Sequence, residues 1–181
     1  GTSDWNGYAA RLSAKVDYTN TFYHMEPRLD LAASPPPQFT NLDFLITSDV
    51  LEHIVPPVSR AFANIFQMLS ANGLCIITVP YMLFEKTWEH FPGLNQFEII
   101  REAEQPLLIN RDLNGKSTRY KDLVFHGGDG ATLEMRIFSR ATLRKELLQA
   151  GFREPIFHRS NIPQYGIYWP CGWSLPISAK K

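Results

Sequence analysis

Neither sign of charge prevails in this chain. Eighteen lysines and arginines stand against eighteen aspartates and glutamates. That balance removes the electrostatic case for duplex nucleic acid or an anionic membrane as partner. Long apolar runs are lacking too, and none approaches the roughly 20 residues that span a bilayer. Cysteine is scarce. Cys75 and Cys171 form neither a disulfide framework nor a metal-ligand spacing, and they suggest a reducing, cytoplasmic setting. No pair among the five histidines has zincin or zinc-finger spacing, so the sequence predicts no metal site. Heptads and internal repeats are absent. What remains is a chain of 181 residues with 44% apolar content, enough for one globular domain with a sizeable core.

The informative stretch is Asp43-Phe44-Leu45-Ile46-Thr47-Ser48-Asp49-Val50-Leu51-Glu52-His53-Ile54. Asp43 to Thr47 reads as a buried strand, Ser48 and Asp49 break it, and Val50 to Ile54 starts a helical turn. Pro56-Pro57 follows, and proline suits a first helical turn. Val58, Ala61, Phe62, Ile65, Phe66 and Leu69 then repeat at helical spacing. Asn72-Gly73 is expected to close that helix. Leu74 to Val79 is a near-continuous apolar run, predicting a strand covered on both faces. The unit reads strand, helix, strand, with a right-handed crossover and parallel strands. Ligands in open α/β sheets sit beyond the carboxyl ends of the strands, which makes Ser48, Asp49, Glu52 and His53 candidate site residues.

These motifs resemble class I S-adenosylmethionine-dependent methyltransferases. DFLITSDVLEHI, an amphipathic helix and LSANGLCIITVP are similar to that family's fourth and fifth strands. SDWNGYAARL, DYTNTFYHMEPRLDL, EHFPGL, FHGGDGATLEMRIFS and YGIYW resemble domains associated with glycosyltransferases of cell-surface polysaccharide pathways. The resemblance implies a Rossmann-like α/β fold, mostly parallel, with an antiparallel C-terminal strand and a β-hairpin insertion. It implies S-adenosyl-L-methionine as cofactor, a small-molecule or glycan acceptor, and a glycosyltransferase as associated or fused partner.

The resemblance also assigns roles. Ser3, Asp4 and Trp5 fall where the ribose and adenine are held, although Ser3 or Asp4 capping the next helix is an equal reading. Asp30 and Leu31 follow the expected third strand, Thr19 to Tyr23, on the adenine side. Ser48 and Asp49 line the methionine side, with His53 beside the methyl group. His53 is the first candidate for general base, ahead of Glu89 and His90, and His126 comes next. Trp88 or Tyr81 are candidates to stack on a sugar. The alternative is an inactive, methyltransferase-like binding or scaffold domain. It draws on one absence: no strand–GxGxG–helix unit occurs. Gly127-Gly128-Asp129-Gly130 precedes a strand and reads as a turn. Nothing ahead of Asp4 reads as a strand, so the expectation is an N-terminally truncated domain whose sheet lacks its first strand and glycine-rich loop. A Ser48–Asp49–His126 hydrolase lacks the G-x-S-x-G elbow.

Residues 95–130 are expected to form a β insertion or lid. It would contain a strand over Phe97 to Arg101 and a hairpin of Leu107-Leu108-Ile109 with Tyr120 to Phe125, turning near Asn114-Gly115. Thr132 to Phe138 reads as a strand. Ser139 caps a helix over Thr142 to Ala150, ended by Ala150-Gly151-Phe152. Strands are expected at Glu154 to His158 and Tyr165 to Trp169, with Pro170 to Lys181 irregular.

Overall fold

A computed structural model describes residues 1–126 and 132–181; the expected Gly127–Gly130 turn lies outside them. Strand β1 (Leu42–Ser48), helix α2 (Ser59–Met68) and strand β2 (Leu69–Thr78) form the anticipated unit, preceded by α1 (Asn6–Ser13). The two strands are parallel, in register from Phe44 opposite Leu74 to Ser48 opposite Thr78. The α2 residues Ala61, Phe62, Ile65 and Met68 are fully buried. Their spacing makes one apolar stripe, and Leu143 and Leu147 of α3 (Arg140–Ala150) join it in the same core.

The exit from α2 differs from expectation. The helix stops at Met68, and Asn72-Gly73 lies inside the following strand. Between the Leu42–Leu69 and Phe44–Leu74 pairs, β2 bulges, with Asn72 at φ 73°. A left-handed position is indeed needed there, but for the bulge rather than for a helix cap. The helix end is satisfied from elsewhere: Lys181 Nζ donates to the carbonyls of Phe66 and Leu69, both at 2.8 Å. Along β2, Cys75 and Ile77 are buried while Leu74, Ile76 and Thr78 are half-covered. The apolar run thus reflects one face packed by helices and one face only partly shielded.

The sheet continues on both sides of this unit. Ile177–Lys180 pairs antiparallel with β2, from Ile177 opposite Ile77 to Lys180 opposite Leu74, and Ile156–Phe157 pairs antiparallel with it in turn. The expected strand over 165–169 is instead a short turn, Pro163–Tyr165, followed by one Ile162–Ile167 bridge. The closing strand lies in the tail read as irregular, because Ile177 and Ala179 alternate inward at the edge of β2. On the other side of β1, Thr2 bridges in parallel to both Thr47 and Thr21. Its N–H donates to Ile46 O at 3.1 Å, and the Ser3 N–H to Thr21 O at 2.7 Å. Thr2 thus stands between Thr21 and Thr47. Thr19 to Tyr23 contributes bridges rather than a full strand.

Residues 96–120 form a separate antiparallel meander of Gln96–Glu102, Gln105–Arg111 and Ser117–Tyr120. The third strand precedes the expected Tyr120–Phe125. The first turn is Ala103-Glu104, both with positive φ (48° and 66°), the conformation of a two-residue hairpin loop without the usual Asn-Gly. The second is set by Asp112, whose Oδ1 accepts from the N–H groups of Asn114 and Lys116, with Gly115 at φ 80°. A small second core of Phe91, Leu108, Leu133 and Met135 joins this meander to the chain beyond it. The expected 132–138 strand is two pieces, Thr132–Leu133 and Arg136–Ser139. As predicted, Ser139 Oγ accepts from the Thr142 N–H at 3.0 Å, and Gly151 ends α3 at φ 108°.

Candidate active site

At the carboxyl end of β1 the chain turns sharply. Asp49 takes φ 52°, where Asp is tolerated better than most side chains, and its N–H donates to Thr78 O at 2.8 Å. Ser48 Oγ lies 2.6 Å from Thr78 Oγ1. The two parallel strands are therefore tied at their exits, and the Ser48 hydroxyl is engaged rather than poised as a nucleophile. A single 3₁₀ turn, Leu51–His53, follows.

The 132–136 segment is laid along this turn. The Met135 N–H donates to Glu52 O at 2.9 Å, and His53 Nδ1 lies 3.0 Å from Leu133 O. A carbonyl only accepts, so Nδ1 carries the proton and Nε2 keeps its lone pair. Burial lowers the His53 pKa, which favours that neutral form; the Leu133 carbonyl acts in the opposite direction. Nε2 stands 3.8 Å from Glu52 Oε1. Glu52 is fully buried, and neither of its carboxylate oxygens has a hydrogen-bond partner. Burial pushes its pKa up to about 8, with repulsion from Asp49 and Glu134 adding to the effect.

Glu134 gathers two more histidines. Its Oε1 lies 2.8 Å from His90 Nε2, and its Oε2 lies 3.2 Å from His126 Nε2. The His126 ring meets that of His53 edge-on at 5.0 Å. Burial also raises the Asp49 pKa, against the influence of Ser48, His126 and His53. On the other flank, burial, a hydrogen bond with Asp4 and the charges of Asp4 and Asp49 all raise the Tyr8 pKa.

The remaining predicted residues fall as follows. Asp4 is buried, bonded to the Tyr18 hydroxyl and fixed through its backbone to Asn20, but its Oδ1 has no partner. Neither Ser3 nor Asp4 caps α1: the cap position is Trp5, without a side-chain bond. Trp5 is 75% exposed and so free to cover a ligand. Asp30 Oδ1 accepts from the Ala32 N–H at 2.8 Å. Leu31 is buried in the main core, where its side chain supports the loop from beneath. Tyr81 is also buried, edge-on to Phe157, so it has no ring face left for a sugar. Trp88, 63% exposed, has one. Glu89 is held by Arg136 Nε at 2.9 and 3.2 Å.

Several participants went unpredicted. Arg136 is fully buried and also donates to the carbonyls of Leu51 and Ile54, at 3.2 and 2.7 Å. It thereby clamps the turn bearing Glu52 and His53. Asn64 of α2, also buried, donates to the carbonyls of Leu31 and Ala33 at 2.8 and 2.7 Å and pins the Asp30 loop. The available signal was charge at alternate positions of an apolar run, Glu134 and Arg136 within TLEMRIF.

No protein-family model and no curated protein sequence matches the chain. Solved structures do. S-adenosylmethionine-bound CalS10, an amino pentose methyltransferase from Micromonospora echinaspora involved in calicheamicin biosynthesis, aligns with 94% of this chain and 77% of its own, at TM-score 0.51 and 12% identity. The chain has the class I methyltransferase fold. An S-adenosylmethionine-dependent methyltransferase from Mesorhizobium loti also aligns, over 100% of this chain and 79% of its own, at TM-score 0.48 and 18% identity. The sugar N-methyltransferase KedS8 from Streptoalloteichus sp ATCC 53650 aligns over 100% and 70%, at 0.48 and 10%. Among the described residues, no helix is long and apolar enough to cross a membrane.

Proposed function

We propose that this chain is an S-adenosylmethionine-dependent methyltransferase acting on a small polar acceptor, a sugar or glycan hydroxyl or amine. The observation that carries the reading is the placement of Ser48, Asp49 and His53 at the exits of the parallel strands β1 and β2, where the Asp49 N–H is bonded to Thr78 O. In this reading the donor's ribose lies by Asp4 with Trp5 over the adenine, and Asp30 faces the adenine amino group. Ser48 and Asp49 border the methionine end. The 95–130 region, with Trp88, floors or lids the acceptor.

Methyl transfer from a sulfonium is an in-line displacement, and positioning supplies about 7–11 kcal/mol of the barrier. The acceptor must also lose a proton. His53 is arranged for that, with Nδ1–H on a carbonyl and Nε2 free, and such a base accelerates the step about 10²–10⁴-fold. Glu89, anchored to Arg136, serves as a positioning residue, and His90 holds Glu134. A glycosyltransferase acting on the same glycan would be the associated partner.

Calorimetric titration with S-adenosylhomocysteine tests the reading. Saturable binding that Asp49→Ala abolishes supports it. Folded protein that binds no S-adenosylhomocysteine favours the second reading, a catalytically inactive binding or scaffold module.

A further inference from the structure

We propose that Glu52, His53 and His126 form a binding site for one divalent transition-metal ion, beside the expected methyl-transfer position. One donor atom from each of the three lies within 4.8 Å of the others. An ion central to a triangle of that edge is about 2.8 Å from each corner, about 0.7 Å more than a metal–nitrogen bond of about 2.1 Å. Small side-chain rotations close that difference.

The independent sign of a ligand is Glu52. A fully buried carboxyl group with neither oxygen in a hydrogen bond is costly in either protonation state, and a bound cation is a partner that relieves it. Arg136, the fully buried cation clamped to the same turn, donates to Glu89, Leu51 and Ile54 but makes no hydrogen bond to Glu52, and its own Nη2 is left without a partner. The Glu52 carboxylate instead stands beside the free nitrogen of His53.

The surrounding groups are those a metal site uses. His53 donates its other ring N–H to the Leu133 carbonyl, and His126 faces the Glu134 carboxylate at 3.2 Å. Both arrangements fix a ring and leave one nitrogen as a donor. Two imidazoles and one carboxylate suit zinc, iron(II), cobalt(II) or manganese(II) rather than magnesium or calcium, which prefer all-oxygen sets. Three protein ligands leave coordination positions open. His53 Nε2 has one lone pair, so an ion there would replace proton uptake by His53; it would instead lower the pKa of a bound acceptor hydroxyl, whose proton would pass to solvent. Metal binding itself does not depend on the methyl-transfer reading.

The test is metal uptake by the metal-stripped 181-residue protein, measured by calorimetry with Zn²⁺ and by elemental analysis after desalting. The expected result is one equivalent of Zn²⁺. Glu134→Gln should weaken it about 10–100-fold, and His126→Ala should weaken it further. His24→Ala and His158→Ala, which change histidines away from the cluster, should leave it unchanged. His126 is partly exposed, so its removal should spare the fold, which circular dichroism checks. Co²⁺ loading gives a readout that needs no variant: visible d–d bands of a nitrogen-ligated site. Failure of the wild type to retain Zn²⁺, equal retention by His126→Ala, or loss that tracks His24 or His158 overturns the site. Zn²⁺ uptake in protein that ignores S-adenosylhomocysteine sinks the methyl-transfer reading and leaves the metal site standing.

Discussion

Arg136 grips Glu89 through its Nε at 2.9 Å, with the guanidinium fully buried and the carboxylate partly exposed. The same guanidinium ties down Leu51 and Ile54, so one residue joins the loop after β2 to the turn after β1. Taking the guanidinium away leaves the Leu51 and Ile54 carbonyls without their donor, and a buried polar group left unsatisfied costs about 1–3 kcal/mol. Arg136→Ala should therefore reach that range in urea or guanidinium unfolding. Glu89→Gln should cost less, because its side chain is 39% exposed and an amide oxygen still accepts. If Glu89 positions rather than reacts, Glu89→Gln also keeps most of the turnover number.

His53→Ala should lower methyl transfer by about 10²–10⁴-fold while leaving S-adenosylhomocysteine affinity within a few-fold of wild type. Single-turnover transfer of labelled methyl, measured beside calorimetry, separates the two. A parallel loss of donor affinity would show that His53 serves the fold or the donor pocket instead.

Lys181→Met should destabilise the domain by about 1.5–3 kcal/mol, the range for hydrogen bonds from a charged group. Its ammonium closes the end of α2 on Phe66 and Leu69 and lies 4.6 Å from the Phe66 ring centre. Thermal unfolding reads this directly, and methionine keeps most of the apolar stem.

The two cysteines should react very differently. Cys75 is fully buried in β2, and burial raises its thiol pKa, so it withholds the thiolate that alkylating agents need. Cys171 is exposed. Mass spectrometry after brief iodoacetamide treatment should show Cys171 modified alone, with Cys75 joining only in denaturant.

The sequence was most legible where period and chemistry agree. The 42–78 unit announces itself because Phe62 and Ile65 repeat at helical spacing while the strands are short apolar runs. Ser139 and Gly151 bracket α3 with side chains and backbone that few other residues supply. It was least legible where tertiary pairing decides. Ile177–Lys180 is four residues between a proline and the last lysine, and only the open edge of β2 makes it a strand. Asn72-Gly73 signals a left-handed position but not whether it caps a helix or forms a bulge. At the site, β1 and its exit residues Asp49 and His53 were readable from one continuous stretch. Leu133, 80 residues beyond His53, meets it only through folding, and the role of Glu134 beside it could be guessed only from the rarity of a glutamate and an arginine inside an apolar run.

The central claim is that the exits of β1 and β2 receive the methyl donor. Amide NMR of the labelled protein during S-adenosylhomocysteine titration tests it most directly. The account predicts saturable shifts centred on Ser48, Asp49 and His53 and extending to Asp4 and Asp30. Shifts confined to the 96–120 meander or the far ends of α2 and α3, or none at all in folded protein, would contradict it.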